Sequence, residues 1–448
     1  MSKLKLASAL LAAAALIAVS YVMSSNNRRS DETDPQTITV SDDARLFQAA
    51  PNRPDVDTAI AFWQKRVADN PRAYIDYTYL GEAYARKARE TGDVSDYQRA
   101  EAALRQALSV NPKYAQTSAL LSSVLFAMHD FRGALAIAEP LAAYPRALQA
   151  LATVGDAHMA LGNYEQAEAA FQKLLERAPV PSVYSRLAIM ADLRGDSEQA
   201  LSLMHQASQL AQQSGDYGES LAWYEYQVGE LYFKAGQVDS AASHYQAALG
   251  VFDNYYLALA GLGKVRAAQG DYQAAIDLYR RATAIIPQPE LLAALGDVYT
   301  LVGPADQAKL QYDTVEYIGK LAEINRQIYN RQLANFYSDH DTRLTDALRL
   351  ATTELEIRKD IFGYDAAAWA YYKNGMFDTA QQMIEQAMKL GTRDSKLYYH
   401  AGLIAKAQGR NADAQRLLSE ALSINPHFDL LQARLARATL DQLAANSD

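Results

Sequence analysis

LATVGDAHMALGNYEQAEAAFQKLLERAP, residues 151–179, is the stretch that decides the fold. A small residue, Gly155, is followed twelve positions on by Ala167, then by Phe171, with Pro179 closing the unit. The frame returns at Gly263, Ala275, Tyr279 and Pro287, and again at Gly402, Ala414, Leu418 and Pro426. Apolar residues between these anchors recur at helical spacing, and a glycine with a polar neighbour divides each unit, as in GNY at Gly162 and GDY at Gly270. Each unit is therefore a helix, a tight turn and a second helix. The glycine supplies the left-handed residue that ends the first helix, and the polar residue after it caps the second. A lone pair cannot bury its apolar face. Repetition at this period predicts an all-α array in which each pair packs on its neighbours.

Ten pairs follow from the anchors. The first helices carry Gly81, Ser122, Gly155, Ala188, Gly229, Gly263, Gly296, Ala334, Ala370 and Gly402. Before them stands a lone helix that starts at Asp57-Thr58, and after Pro426 the run HFDLLQARLARATLDQLAAN reads as a capping helix with Arg434 and Arg437 on its wetter face. Three intervals are long: Gly81 to Ser122, Ala188 to Gly229 and Gly296 to Ala334. They predict extended helices near ARKARETGDVSDY, ASQLAQQSGDYGES and DTVEYIGKLAEINRQI, while the ninth pair is short between Ala370 and Ala380. These breaks suggest sub-arrays at 58–215, 216–325 and 326–445 within an array spanning 58–445.

Residues 6–23, LASALLAAAALIAVSYVM, carry no charge and follow Lys3 and Lys5. The segment 1–23 reads as a signal peptide or an N-terminal membrane anchor, and 24–57 as a flexible polar linker. Either way the array is expected outside the cytoplasm, on the periplasmic or cell-surface side: held at the inner membrane if the segment stays, secreted if it is removed. Half of the residues are hydrophobic, enough for a continuous core. The net charge of −9 comes without a basic stripe, so nucleic acid is not an expected partner. With no cysteine, disulfides and thiolate chemistry are excluded.

The pattern resembles the tetratricopeptide repeat, whose motif pairs a Leu-Gly…Tyr first helix with an Ala…Phe/Tyr second helix and a closing proline. Leu80-Gly81…Tyr84, Leu295-Gly296…Tyr299 and Ala308…Tyr312 carry the likeness. It implies a right-handed superhelical solenoid with a concave face lined by first helices. The whole order resembles exported and membrane-anchored bacterial repeat proteins, a likeness that brings no activity with it.

No catalytic constellation emerges. The seven histidines form neither HExxH nor a histidine pair one turn apart, and no metal or cofactor is expected. His158 stands where other units place Tyr and reads as a core residue; His340, in SDHD, reads as part of a polar turn. GLGKVRAAQG, from Gly261, lacks the third glycine and the preceding strand of a dinucleotide loop. Carboxylates recur at helical spacing and read as solvated outer faces.

Binding is the better expectation. In the fifth pair Trp223, Tyr226, Glu230 and Phe233 either face the groove or pack on the irregular insertion before them. In the last pairs stand Arg331, Asn335, Lys396, Tyr399 and His400. The resemblance implies a clamp for a peptide's C-terminal carboxylate there, with Arg331 in place of Lys, His400 in place of Arg and Ala368 where a second Asn belongs. The irregular units around Tyr226, Tyr312 and Tyr371 are where function is to be sought. The expected role is a non-enzymatic scaffold that binds a partner protein or peptide in its groove and stabilises a membrane-associated complex. The alternative is an accessory subunit recruiting substrate to a separate envelope enzyme or transporter.

Overall fold

The computed structural model describes residues 55–91, 93–324 and 330–445. The expected signal or anchor at 1–23, and almost all of the linker, lie outside the described residues. Among those described, twenty-two helices and no strand occur, and no helix is long and apolar enough to cross a membrane.

The first compact unit ends at Ala157 and contains α1 (Val56–Asp69), α2 (Tyr74–Thr91), α3 (Val94–Val110), α4 (Ala115–Ala127), α5 (Phe131–Ala142) and most of α6 (Leu148–Ala160). The lone helix α1 starts two residues earlier than expected, because Asp55 accepts the Thr58 backbone N–H at 2.9 Å and caps it. Trp63 then stacks on Tyr79 at 4.9 Å between ring centres, which ties α1 to the first pair. The long first interval is spent as expected, in an 18-residue α2. Buried polar contacts join successive first helices: the Thr78 and Thr117 hydroxyls meet at 2.6 Å. Asp96 is wholly buried against Arg99 at 2.5 Å.

The second unit begins at His158. It holds α7 (Tyr164–Arg177), α8 (Pro181–Leu193), α9 (Ser197–Ser214), α10 (Glu219–Lys234), α11 (Val238–Val251), α12 (Tyr256–Ala268), α13 (Tyr272–Ile285) and α14 (Pro289–Val302). It continues through α15 (Ala305–Ile324), α16 (Asn330–Asp339), α17 (Leu344–Ile357), α18 (Ile361–Lys373), α19 (Phe377–Ala387), α20 (Ser395–Ala407), α21 (Asn411–Ile424) and the capping helix α22 (Gln432–Ala445). The long intervals again become long helices, 18 residues in α9 and 20 in α15, and the short ninth pair has an 11-residue α19. At GDY the expectation holds in full: Gly270 has φ +79°, and Asp271 accepts the Ala274 N–H at 3.2 Å. At GNY the glycine is left-handed too, but Asn163 caps nothing and lies 3.4 Å from the His158 ring. His158 itself is half-buried, not a core residue.

The second unit also touches itself across long stretches of chain. The Lys359 N–H donates to the Ala160 carbonyl at 3.1 Å and the Ile361 N–H to the Tyr164 hydroxyl at 2.7 Å. The Thr392 hydroxyl donates to the Leu193 carbonyl, and the Asn425 amide to the Phe233 carbonyl at 2.7 Å. Partners in three of these contacts stand 197, 199 and 192 residues apart. The near-constant spacing is that of one solenoid turn resting on the next.

One sequence reading fails. Carboxylates do not all sit on solvated outer faces, since Asp96, Glu225, Glu354 and Asp365 are buried. Helical spacing cannot tell an outer face from one packed between helices, because both repeat every 3.6 residues.

Candidate functional site

The site is built from the residue that follows each small anchor. On α10, α12 and α14 these are Glu230, Lys264 and Asp297, after Gly229, Gly263 and Gly296. The anchors are glycines because a tyrosine of the following helix lies against them: a Cβ on Gly229 would stand 2.6 Å from the Tyr245 ring, and one on Gly296 2.4 Å from the Tyr312 ring. Passing that close, each ring delivers its hydroxyl to the next side chain. Tyr245 donates to Glu230 at 2.6 Å and Tyr312 to Asp297 at 2.8 Å. Burial, together with these carboxylates, holds both phenols above their ordinary range.

The same carboxylates link one pair to the next. Lys264 donates to both Glu230 oxygens, at 2.9 and 3.0 Å. His340, just past α16, meets Asp297 at 2.8 Å through Nε2. Burial opposes charge on that imidazole most strongly, but the bond to Asp297 and its charge, with the Phe336 carbonyl and the Asp339 carboxylate, together outweigh it and raise the pKa. His340 is thus more than a residue of a polar turn. Glu290, near the start of α14, is exposed, with Gln332 as its hydrogen-bond partner.

Of the four residues expected in the fifth pair, three share this face. Tyr226 is half-buried with Tyr245 and Tyr255 5.9 and 6.0 Å from its ring centre, Glu230 is the ladder carboxylate, and buried Phe233 lies under the Lys264 ammonium at 4.8 Å. Trp223 is buried beside Tyr224, its indole N–H without a partner among the described residues.

In the last pairs the expected cations already have carboxylates. Arg331 holds Asp360 at 2.9 Å and Glu354 at 3.5 Å. Lys396 donates to Asp339 at 3.0 Å, and the Trp369 indole donates to the other oxygen of that carboxylate at 2.8 Å. Burial opposes both charges of the Lys396–Asp339 pair, but each holds the other ionised. His400 is buried, stacked on Trp369 at 4.2 Å, with Nδ1 2.7 Å from Asp365. Tyr399 is buried and donates to Gln432 at 2.5 Å. Asn335 and Tyr371 are half-buried, and the Asn335 carbonyl oxygen has no partner among the described residues. The structure does not bring these residues together as an open clamp, since an incoming carboxylate would have to displace Asp339 and Asp360. Sequence reasoning missed Lys264, Asp297, Asp339 and Trp369. The signal for the first two was present, as charged residues directly after Gly263 and Gly296.

Among the described residues no group of three or more His, Cys, Asp or Glu side chains could hold a metal ion. The arrangement offers hydrogen-bonding and charged groups on a rigid face.

Comparison with known proteins bears on this arrangement. The chain is 25% identical over 253 residues to BBSome complex member BBS4 of Bos taurus, covering 55% of this chain and 45% of that one. It is 26% identical over 224 residues to protein O-mannosyl-transferase TMTC1 of Homo sapiens, covering 48% and 24%. It thus spans less than half the length of either relative. The solved structure of yeast Tom70 aligns over 88% of this chain and 94% of that one, at 14% identity and a TM-score of 0.36. Tetratricopeptide repeat profiles match residues 81–114, 125–193, 179–254, 226–288 and 366–427. Together they take in more than half of the sequence, and the chain belongs to the tetratricopeptide repeat family.

Proposed function

We propose that the protein is a non-enzymatic scaffold whose first-helix face binds a segment of a partner protein and so assembles or stabilises a complex. The observation that carries this reading is the ladder Glu230–Lys264 and Asp297–His340, which fixes a row of polar and aromatic groups before any partner arrives. A preformed face spares the complex the cost of ordering it. Membership of a complex in the relative BBS4 supports the same role. We further propose a bacterial envelope setting, with the array outside the cytoplasm; the apolar run 6–23 supports it. The test is a photo-cross-linking amino acid placed at Lys264, on the first-helix face, and separately at Leu310, exposed on α15. In intact cells the Lys264 site is expected to capture one defined protein and the Leu310 site none. Equal capture at both, or none at Lys264, would sink the reading.

A second reading is an accessory subunit that brings substrate to a separate enzyme. The match to part of an O-mannosyl-transferase favours it, and a Lys264 adduct that is itself an enzyme would select it.

A further inference from the structure

Three consecutive turns of the second unit are each seated on a loop six helix pairs further on: the end of α6 on the start of α18, α8 on α20, and α10 on α22. The groups that meet there are chemically particular. Ala160, Leu193 and Phe233 lie in the last turns of first helices, where carbonyls have no partner inside the helix. The opposite loop supplies a donor to each, the Phe233 carbonyl also accepting from the Gly236 N–H of its own turn, and Thr392 and Asn425 are buried in doing so, at 1% and 2% exposure. Lys234 adds a charged tie, 2.9 Å from Asp192 on its own side and 3.5 Å from Asp394 on the other.

The turn glycines record the same closure. A Cβ on Gly162 would stand 2.4 Å from the Lys359 carbonyl oxygen, and one on Gly195 2.4 Å from that of Gly391. On Gly236 it would stand 3.0 Å from that of Ile424. Gly270 has the same left-handed backbone, φ +79°, and a Cβ there would meet nothing within 4 Å. The local turn therefore asks for glycine at all four positions, but only the first three are also pressed against another turn of the solenoid.

We propose that this seam is a latch: it closes the second unit round its first-helix face, so that the face admits an extended chain along the solenoid axis and a wider partner only when the seam opens. The proposal rests on the reading of that face as the binding surface. Its physical basis is that contacts between solenoid turns are few and polar beside the packed helix pairs. They form the low-stability end of the molecule and open first.

Size-selective labelling of the full-length protein tests this without a partner. Lys264 lies on the enclosed face with its side chain 38% exposed, and Lys320 is exposed on α15 as a reference. A small acetylating ester is expected to modify both lysines. The same ester carried on a polyethylene glycol chain wider than a helix should modify Lys320 but spare Lys264. In Gly195→Ala the bulky reagent should reach Lys264 about tenfold faster, as expected for a lowered opening free energy. Gly270→Ala, which carries the same backbone penalty away from the seam, should leave the rate unchanged. Thr392→Val removes a seam donor without backbone strain and should act in the direction of Gly195→Ala, which keeps the test valid if the glycine variant folds poorly. Bulky labelling of Lys264 as fast as Lys320 in the parent protein would overturn the proposal. So would seam variants that label no faster than Gly270→Ala. Neither result depends on the cross-linking outcome, so latch and binding face fail separately.

Discussion

Tyr312 fills the space left by Gly296 with its ring and holds Asp297 with its hydroxyl, so one residue serves packing and electrostatics together. Asp297 in turn favours the charged form of His340, whose pKa lies above the ordinary 6.5. A raised histidine stabilises the fold fully below its unfolded value and loses that contribution as pH rises through its folded value. The melting-temperature gap between the parent protein and His340→Asn is therefore expected to be widest below the ordinary 6.5 and to narrow as pH rises above it. At this scale the sequence was half legible. Glu230 and Tyr226 stand out as large polar residues near an anchor, but that Arg331 and Lys396 are already neutralised depends on Asp360 and Asp339, which reach them only through the fold.

Helices read more easily than side-chain partners. The lengths of α9 and α15 follow from the spacing of small anchors, because each extra residue between anchors has to be housed in a helix or a turn. The anchors themselves report helix contact. Gly296→Ala is expected to cost about 1–3 kcal/mol, since its Cβ would enter the Tyr312 ring. Gly250→Ala on α11, where a Cβ meets nothing within 4 Å, should stabilise by about 0.5 kcal/mol. Urea denaturation would measure both. The capping helix α22 was legible as a cap, with Arg434 and Arg437 exposed as expected. Its reach was not. Gln432 accepts from Tyr399 and donates to the Asp339 carbonyl at 3.2 Å, and Arg434 donates to the Tyr272 hydroxyl at 2.7 Å. Removing residues 432–448 takes away the hydrogen-bond partner of Tyr399 and the apolar face of Ala433, Ala436 and Leu443 that packs on the array. The melting temperature should fall well below that of a variant lacking only 446–448.

For the molecule as a whole, a repeat array was legible because every pair obeys a rule that can be checked against its neighbours. The seam was not, because its partners stand 192 to 199 residues apart and carry no local mark. The turn at Gly195, which bears on Gly391, looks in sequence like the turn at Gly270, which bears on nothing. That contact has a consequence for how this protein can change over generations. Most repeat arrays lengthen or shorten by whole units, because a new unit needs only the two beside it. Here an extra pair inserted between residues 233 and 359, the stretch that all these contacts enclose, would carry Lys359, Thr392 and Asn425 past Ala160, Leu193 and Phe233 by a full unit, and every turn would face a stranger. Copy number in that interval is held like the links of a bracelet that must meet its own clasp.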